Sequence, residues 1–106
     1  MMNTATQQVY EVCITYRSNR KVSRFRVDSV IEHCAAGIER AIRKAEEFID
    51  GFISIGNCAE EIDQATIVAI DMDDYFDGVD IDDCGGEVVA ERSEETGFDW
   101  SYDEDL

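Results

Sequence analysis

Between Ile31 and Ile49 the apolar residues recur every three or four positions: Ile31, Cys34, Ala35, Ile38, Ala41, Ile42, Ala45, Phe48 and Ile49. At 3.6 residues per turn these side chains fall on one continuous stripe. Glu39, Arg40, Arg43, Lys44, Glu46 and Glu47 occupy the other side. A helix of this kind must bury its stripe against a second layer, so the rest of the chain has to supply one. Ser29 followed by Glu32 fits a capping box, in which hydroxyl and carboxylate satisfy free amide protons at a helix start. The helix is therefore expected to open at Asp28-Ser29. Asp50-Gly51 predicts its end, with Gly51 as a left-handed cap.

The second layer is written in alternating segments. In residues 9–17, VYEVCITYR, the side chains of Tyr10, Val12, Ile14 and Tyr16 share one face of a strand. Ser18-Asn19 predicts a turn. Residues 21–27, KVSRFRV, follow as a second strand, with Phe25 and Val27 on one side and Arg24 and Arg26 on the other. Residues 52–64 read either as an overrun of the helix at Ile53-Ser54-Ile55 or as a short strand. Asn57 could cap a helical turn through Glu60, Glu61 and Ile62. Residues 65–72, ATIVAIDM, are mostly apolar and predict a central strand. A polar stretch containing Gly78, Gly85 and Gly86 leads to a last strand over 87–92, EVVAER. The order β-β-α-β-β predicts an α+β fold: a small antiparallel or mixed sheet with one long amphipathic helix packed on one face. At 106 residues the chain has room for one such domain. It is expected over residues 1–92, with residues 93–106 as an acidic, aromatic tail that is either flexible or ordered.

Charge divides the chain in two. Residues 1–50 hold eight Lys/Arg against seven Asp/Glu; residues 51–106 hold eighteen Asp/Glu and one base, Arg92. The formal net charge is −16. Nucleic-acid phosphates repel such a chain, whereas a cation or a basic protein surface is drawn to it. The polar start of the chain does not resemble a targeting segment, and no stretch is apolar enough to span a membrane. A cytoplasmic location is expected, and with it free thiols at Cys13, Cys34, Cys58 and Cys84, which contain no C-x-x-C spacing.

Catalytic patterns are missing. The single histidine, His33, sits beside the helix stripe and reads as a packing residue. There is no G-x-S-x-G elbow and no phosphate-cradling glycine loop. Carboxylates are too many here for a pair to mark acid–base chemistry. No enzyme and no cofactor are expected. A weak calcium candidate starts at Asp80: Asp80, Asp82, Gly85 and Glu91 match positions 1, 3, 6 and 12 of an EF-hand loop, but Cys84 stands at position 5 and the flanks are not helical.

Two surfaces remain. The basic residues Arg17, Arg20, Lys21, Arg24 and Arg26 lie on the hairpin. They read as a phosphate-contacting patch, as a charged strand edge that discourages edge pairing, or as a partner for the acidic half within the molecule or between copies. The acidic run holds Asp71, Asp73, Asp74, Asp77, Asp80, Asp82, Asp83 and Glu87, and the tail adds Glu94, Glu95, Asp99, Trp100 and Tyr102. The run reads as a solubilising surface or as an interaction surface. Duplex DNA carries one charge per roughly 1.7 Å of axis, and short Asp side chains on an ordered backbone could imitate that density. Trp100 and Tyr102 are residue types favoured at interface centres, and Trp100 and Phe98 could equally fold back on the sheet or helix.

The Asp71–Glu87 run, the acidic tail, the size and the lack of a catalytic set together resemble phage-encoded acidic inhibitors of host defence, the anti-CRISPR proteins and anti-restriction DNA mimics. The resemblance lies in composition and in the second half of the chain and involves no shared motif. It implies a non-enzymatic protein that blocks a cationic nucleic-acid-binding surface on a CRISPR surveillance complex or nuclease. The host cytoplasm would then be its location. The near-neutral first half departs from an all-acidic mimic.

Overall fold

A computed structural model describes residues 7–32, 34–80 and 84–104. The strands are β1 (Gln7–Tyr16), β2 (Val22–Glu32), β3 (Ile62–Ile70), β4 (Gly86–Ser93) and β5 (Ser101–Tyr102); the helices are α1 (Ala35–Ser54) and α2 (Met72–Phe76). The fold is α+β. Among the described residues the strands form one antiparallel sheet in the order β2-β1-β3-β4-β5. The expected element order holds in outline, with α2 and β5 added to it.

Register decides which side chains meet α1. Val12 of β1 stands opposite Phe25 of β2 and Ile67 of β3, and Ile67 stands opposite Ala90 of β4. These residues share one face, with Tyr10, Ile14, Val27, Ala65 and Ala69 on it as well. Gly37, Ile38, Ala41, Ile42, Ala45 and Ile49 are the buried residues of α1, and all but Gly37 join the same core cluster. Fully burying a side chain such as Ile38 contributes about 1.5–3 kcal/mol, so this shared core is what holds helix and sheet together. Phe48 stacks on Phe25 with ring centroids 5.4 Å apart, and Phe52 meets Tyr16 at 5.5 Å. By the same alternation Glu11, Cys13, Arg24 and Arg26 project from the sheet face away from α1.

The structure moves both ends of the expected helix. Residues 28–32 continue β2, with Gln7 opposite Glu32 and Gln8 opposite Ile31, so the Ser29–Glu32 spacing starts no helix. Cys34 occupies the cap position instead, without a side-chain capping bond. His33 lies outside the described residues. At the other end α1 runs through Gly51 to Ser54. The left-handed glycine is Gly56, at φ +103°, two residues past the end. Asn57 caps no turn of its own: its Nδ2 donates to the Phe52 carbonyl at 2.9 Å, and Cys58 precedes the 3₁₀ turn Ala59–Glu61.

The segment set apart as a tail builds onto the sheet. After β4, Ser93 and Thr96 form a capping box around the 3₁₀ turn Glu94–Thr96. β5 then pairs with β4, Tyr102 opposite Ala90 and Ser101 opposite Glu91. Trp100 and Tyr102 pack against the core. None of the four cysteines is in a disulfide: Cys58 is exposed, and Cys13, Cys34 and Cys84 are partly covered.

Candidate functional site

The acidic run leaves the sheet where β3 ends and returns where β4 begins, with Ile70 opposite Gly86. Asp71 opens it. Its Oδ1 accepts from the backbone N–H of Asp73 at 2.9 Å and of Asp74 at 3.2 Å, and so caps α2. Its own N–H donates to the Gly85 carbonyl at 2.7 Å. The Gly85 N–H donates in turn to Asp74 Oδ2 at 3.1 Å. The loop is therefore closed at its base from both sides. Inside it, the Val79 N–H donates to the Asp74 carbonyl and the Cys84 N–H to the Asp80 carbonyl, each at 3.1 Å.

A further tie comes from the basic hairpin. Arg26 Nη1 donates to the Tyr75 hydroxyl at 3.1 Å, and its guanidinium carbon lies 5.9 Å from the ring centroid. With its base closed and α2 fixed, the loop presents Asp73, Asp77 and Asp80 to solvent. Phe76 stands among them at 70% exposure. Asp71 and Asp74 act in the loop's own structure, and Glu87 is exposed on β4 beside it. Asp82 and Asp83 lie outside the described residues.

The remaining acidic positions are elsewhere. Gln64 of β3 pairs with Ser93 of β4, so the Glu94–Thr96 turn stands at the end of the β3–β4 hairpin opposite the Asp71–Gly85 loop. Six residues of strand separate the two, about 20 Å. Glu94, Glu95 and Asp99 are exposed at that far end. Trp100 and Tyr102 also tie this end of the sheet together: Trp100 packs on the core, and the Tyr102 hydroxyl donates to Glu39 Oε2 of α1 at 2.8 Å. That bond pushes the Tyr102 hydroxyl above its usual range. Phe76, the most outward aromatic of the acidic loop, is a residue that sequence reasoning misses. Its place directly between Tyr75 and Asp77 is the available signal.

The basic residues also divide. Arg17 and Arg20 both reach Asp63, at 3.3 and 2.9 Å, near the β1–β2 turn. There the Ser18 N–H donates to Glu61 Oε1 at 2.8 Å, and hydrogen bonds from the Ser18 side chain first and its N–H second hold the Glu61 carboxyl below its usual range. Arg24 reaches Glu11 Oε1 at 3.4 Å. Lys21 is exposed at the turn. Pairing within the molecule thus occupies Arg17, Arg20, Arg24 and Arg26. Among the described residues their main acidic partners are Asp63 and Glu11, and Arg26 reaches the Asp-rich loop through an aromatic residue.

Glu11 is only 3% exposed on the sheet face away from α1. The Cys13 thiol donates to the same Glu11 oxygen at 3.3 Å. Burial first, and that bond second, push the Cys13 thiol up to about 11. For the calcium candidate, Glu91 sits within β4 and accepts from the Ser93 hydroxyl at 3.1 Å. Among the described residues no three His, Cys, Asp or Glu side chains stand close enough to hold a metal ion. Among those residues, too, no helix is long and apolar enough to cross a membrane.

Comparison with protein-family models, curated proteins and solved structures finds no match for this chain.

Proposed function

We propose that this chain is a non-enzymatic inhibitor that docks its acidic loop into a cationic, nucleic-acid-binding groove of another protein. The class resemblance makes a CRISPR surveillance complex or nuclease in the host cytoplasm the first target. The observation that carries the reading is the bracing of the loop. Asp71, Asp74 and Gly85 close its base, and Arg26 holds Tyr75 from the neighbouring hairpin. Carboxylates on a fixed backbone retain their spacing when a basic groove approaches, so less ordering entropy is lost on binding. Phe76 adds an apolar contact inside the charged patch. The partner is thus a basic protein surface, and no nucleic acid or membrane is needed.

The test compares the native chain with a variant in which Asp73, Asp77, Asp80 and Asp82 are all changed to Lys. In a mobility-shift assay the native chain should displace DNA from a purified surveillance complex. The effect should fade as salt rises from about 0.05 to 0.3 M, because exposed charges are screened beyond roughly 10 Å at 0.1 M. The variant should leave DNA bound. Equal inhibition by the two chains would overturn the proposal, as would no displacement by the native chain at low salt.

A further inference from the structure

A cleft of about 390 Å³ lies between the C-terminal half of α1 and the segment that joins β4 to β5. Ile49, Ile53 and Phe98 give it an apolar wall, and Glu46, Asp50 and Asp99 add three carboxylates. Arg92 and Trp100 also line it. Arg92 Nη1 and Trp100 Nε1 are the buried side-chain polar atoms that lack a hydrogen-bond partner among the described residues. An unsatisfied buried donor costs about 1–3 kcal/mol, and folded proteins leave few of them. Both belong to residues that line this cleft, where an acceptor carried by a ligand can satisfy them.

The carboxylates select the acceptor. Glu46, Asp50 and Asp99 repel a free anion and favour a neutral carbonyl attached to a cation. A lysine or arginine residue within a peptide has both, joined by an aliphatic stem suited to Ile49, Ile53 and Phe98. The Arg92 guanidinium carbon lies 5.5 Å from the Phe98 ring centroid, and Phe98 is exposed at this cleft.

We infer that this cleft binds one basic residue of a partner protein: its backbone carbonyl accepts from Arg92 and Trp100, and its cation meets Glu46, Asp50 and Asp99. The inference rests on the reading above that the partner is a basic protein, and it adds a second contact at the far end of the β3–β4 hairpin.

The test uses the whole chain and free N-acetyl-arginine amide, and it leaves the acidic loop untouched. The Trp100 indole N–H resonance should move downfield and saturate at millimolar ligand. N-methylacetamide, which lacks the cation, and butylguanidinium, which lacks the carbonyl, should each bind several-fold more weakly. Asp50→Asn combined with Asp99→Asn should weaken binding roughly five-fold, as exposed ion pairs do. In calorimetry Trp100→Phe, which keeps a ring and removes the donor, should weaken binding roughly two- to ten-fold. An unmoved indole resonance would overturn the inference. So would equal binding of either fragment, or tighter binding of acetate, which would mark an anion site. Failure of the loop variant to lose inhibition would leave these results unchanged, so the two readings fail separately.

Discussion

Arg26 Nη1 donates to the Tyr75 hydroxyl at 3.1 Å, which ties the edge strand of the sheet to the short helix of the acidic loop. The tie joins the two halves into which charge divides the chain. Its contribution at this exposed site is about 1 kcal/mol, from one hydrogen bond and one cation–π contact. Arg26→Ala should lower global stability by about that amount. It should also speed amide exchange across residues 71–80 more than across β1 or β3. Hydrogen exchange read by mass spectrometry checks both the size and the place of the effect.

The acids of the loop should separate into two groups by stability. Asp71→Ala removes the cap of α2 and should cost about 1 kcal/mol in urea unfolding. Asp73→Ala and Asp77→Ala remove exposed charges from a strongly acidic chain and should stay within about 0.5 kcal/mol of the parent. A loss on Asp73→Ala as large as that on Asp71→Ala would contradict the capping role.

Two glycines should respond to alanine in opposite ways. A Cβ on Gly86 would stand 2.6 Å from Val68 Cγ1 and 2.9 Å from the Ala69 carbonyl oxygen. Gly86→Ala should therefore destabilise the chain by about 1–3 kcal/mol. Gly51 lies inside α1, and a Cβ there would meet nothing within 4 Å. Gly51→Ala should stabilise by about 0.5–1 kcal/mol, because the unfolded chain loses freedom and the helix gains a better former. Thermal unfolding of the two variants reads both signs.

Part of this was legible in the sequence and part was not. The stripe from Ile38 to Ile49 and the alternation of Tyr10, Val12 and Ile14 found their partners because each is set by burial, which periodicity reports directly. The Ser29–Glu32 capping box failed because Gln8 and Ile31 pair across the sheet, and that pairing outweighs a local cap. Gly51 failed as a stop because Phe52 beyond it packs on Tyr16, which outweighs the roughly 1 kcal/mol cost of a glycine in a helix. The acidic run was visible at once. Its division into Asp71 and Asp74, which bond within the loop, and the outward Asp73 and Asp77 was not, because that depends on Gly85 returning from eleven residues beyond Asp74. Trp100 was likewise open to either fate until β5 placed it.

Alkaline pH should destabilise the fold. Burial pushes the Tyr10 hydroxyl from 10.0 up to about 12, and the Cys13 thiol rises from 9.0 to about 11. Both raised values favour the neutral form in the folded chain. Their contribution is complete below about pH 9 and is lost as pH rises from there towards 12. Unfolding free energy should hold up to about pH 9 and fall from there to about pH 11, and in Cys13→Ala the fall should begin nearer pH 10.

Thiol chemistry should follow the same geometry. Cys13 donates to Glu11 and at pH 8 holds roughly 100-fold less thiolate than an ordinary thiol. Iodoacetamide should modify exposed Cys58 first and Cys13 last, in a time course read by peptide mass spectrometry. Early modification of Cys13 in the folded chain would contradict the buried contact with Glu11.

The strand order has a consequence for how the chain reaches this state. β1 lies between β2 and β3, so Tyr10 must find Ala69 across the whole helix and its connections. The β1–β2 hairpin closes over a short turn, but its apolar face stays uncovered until α1 and β3 exist. During synthesis the first half of the chain therefore waits on the ribosome for residues near 70 to emerge. Contacts that bridge so much sequence form late and set the folding rate. The same acidic stretch that follows β3 is then the next to appear, and its charge keeps nascent copies apart while the sheet closes.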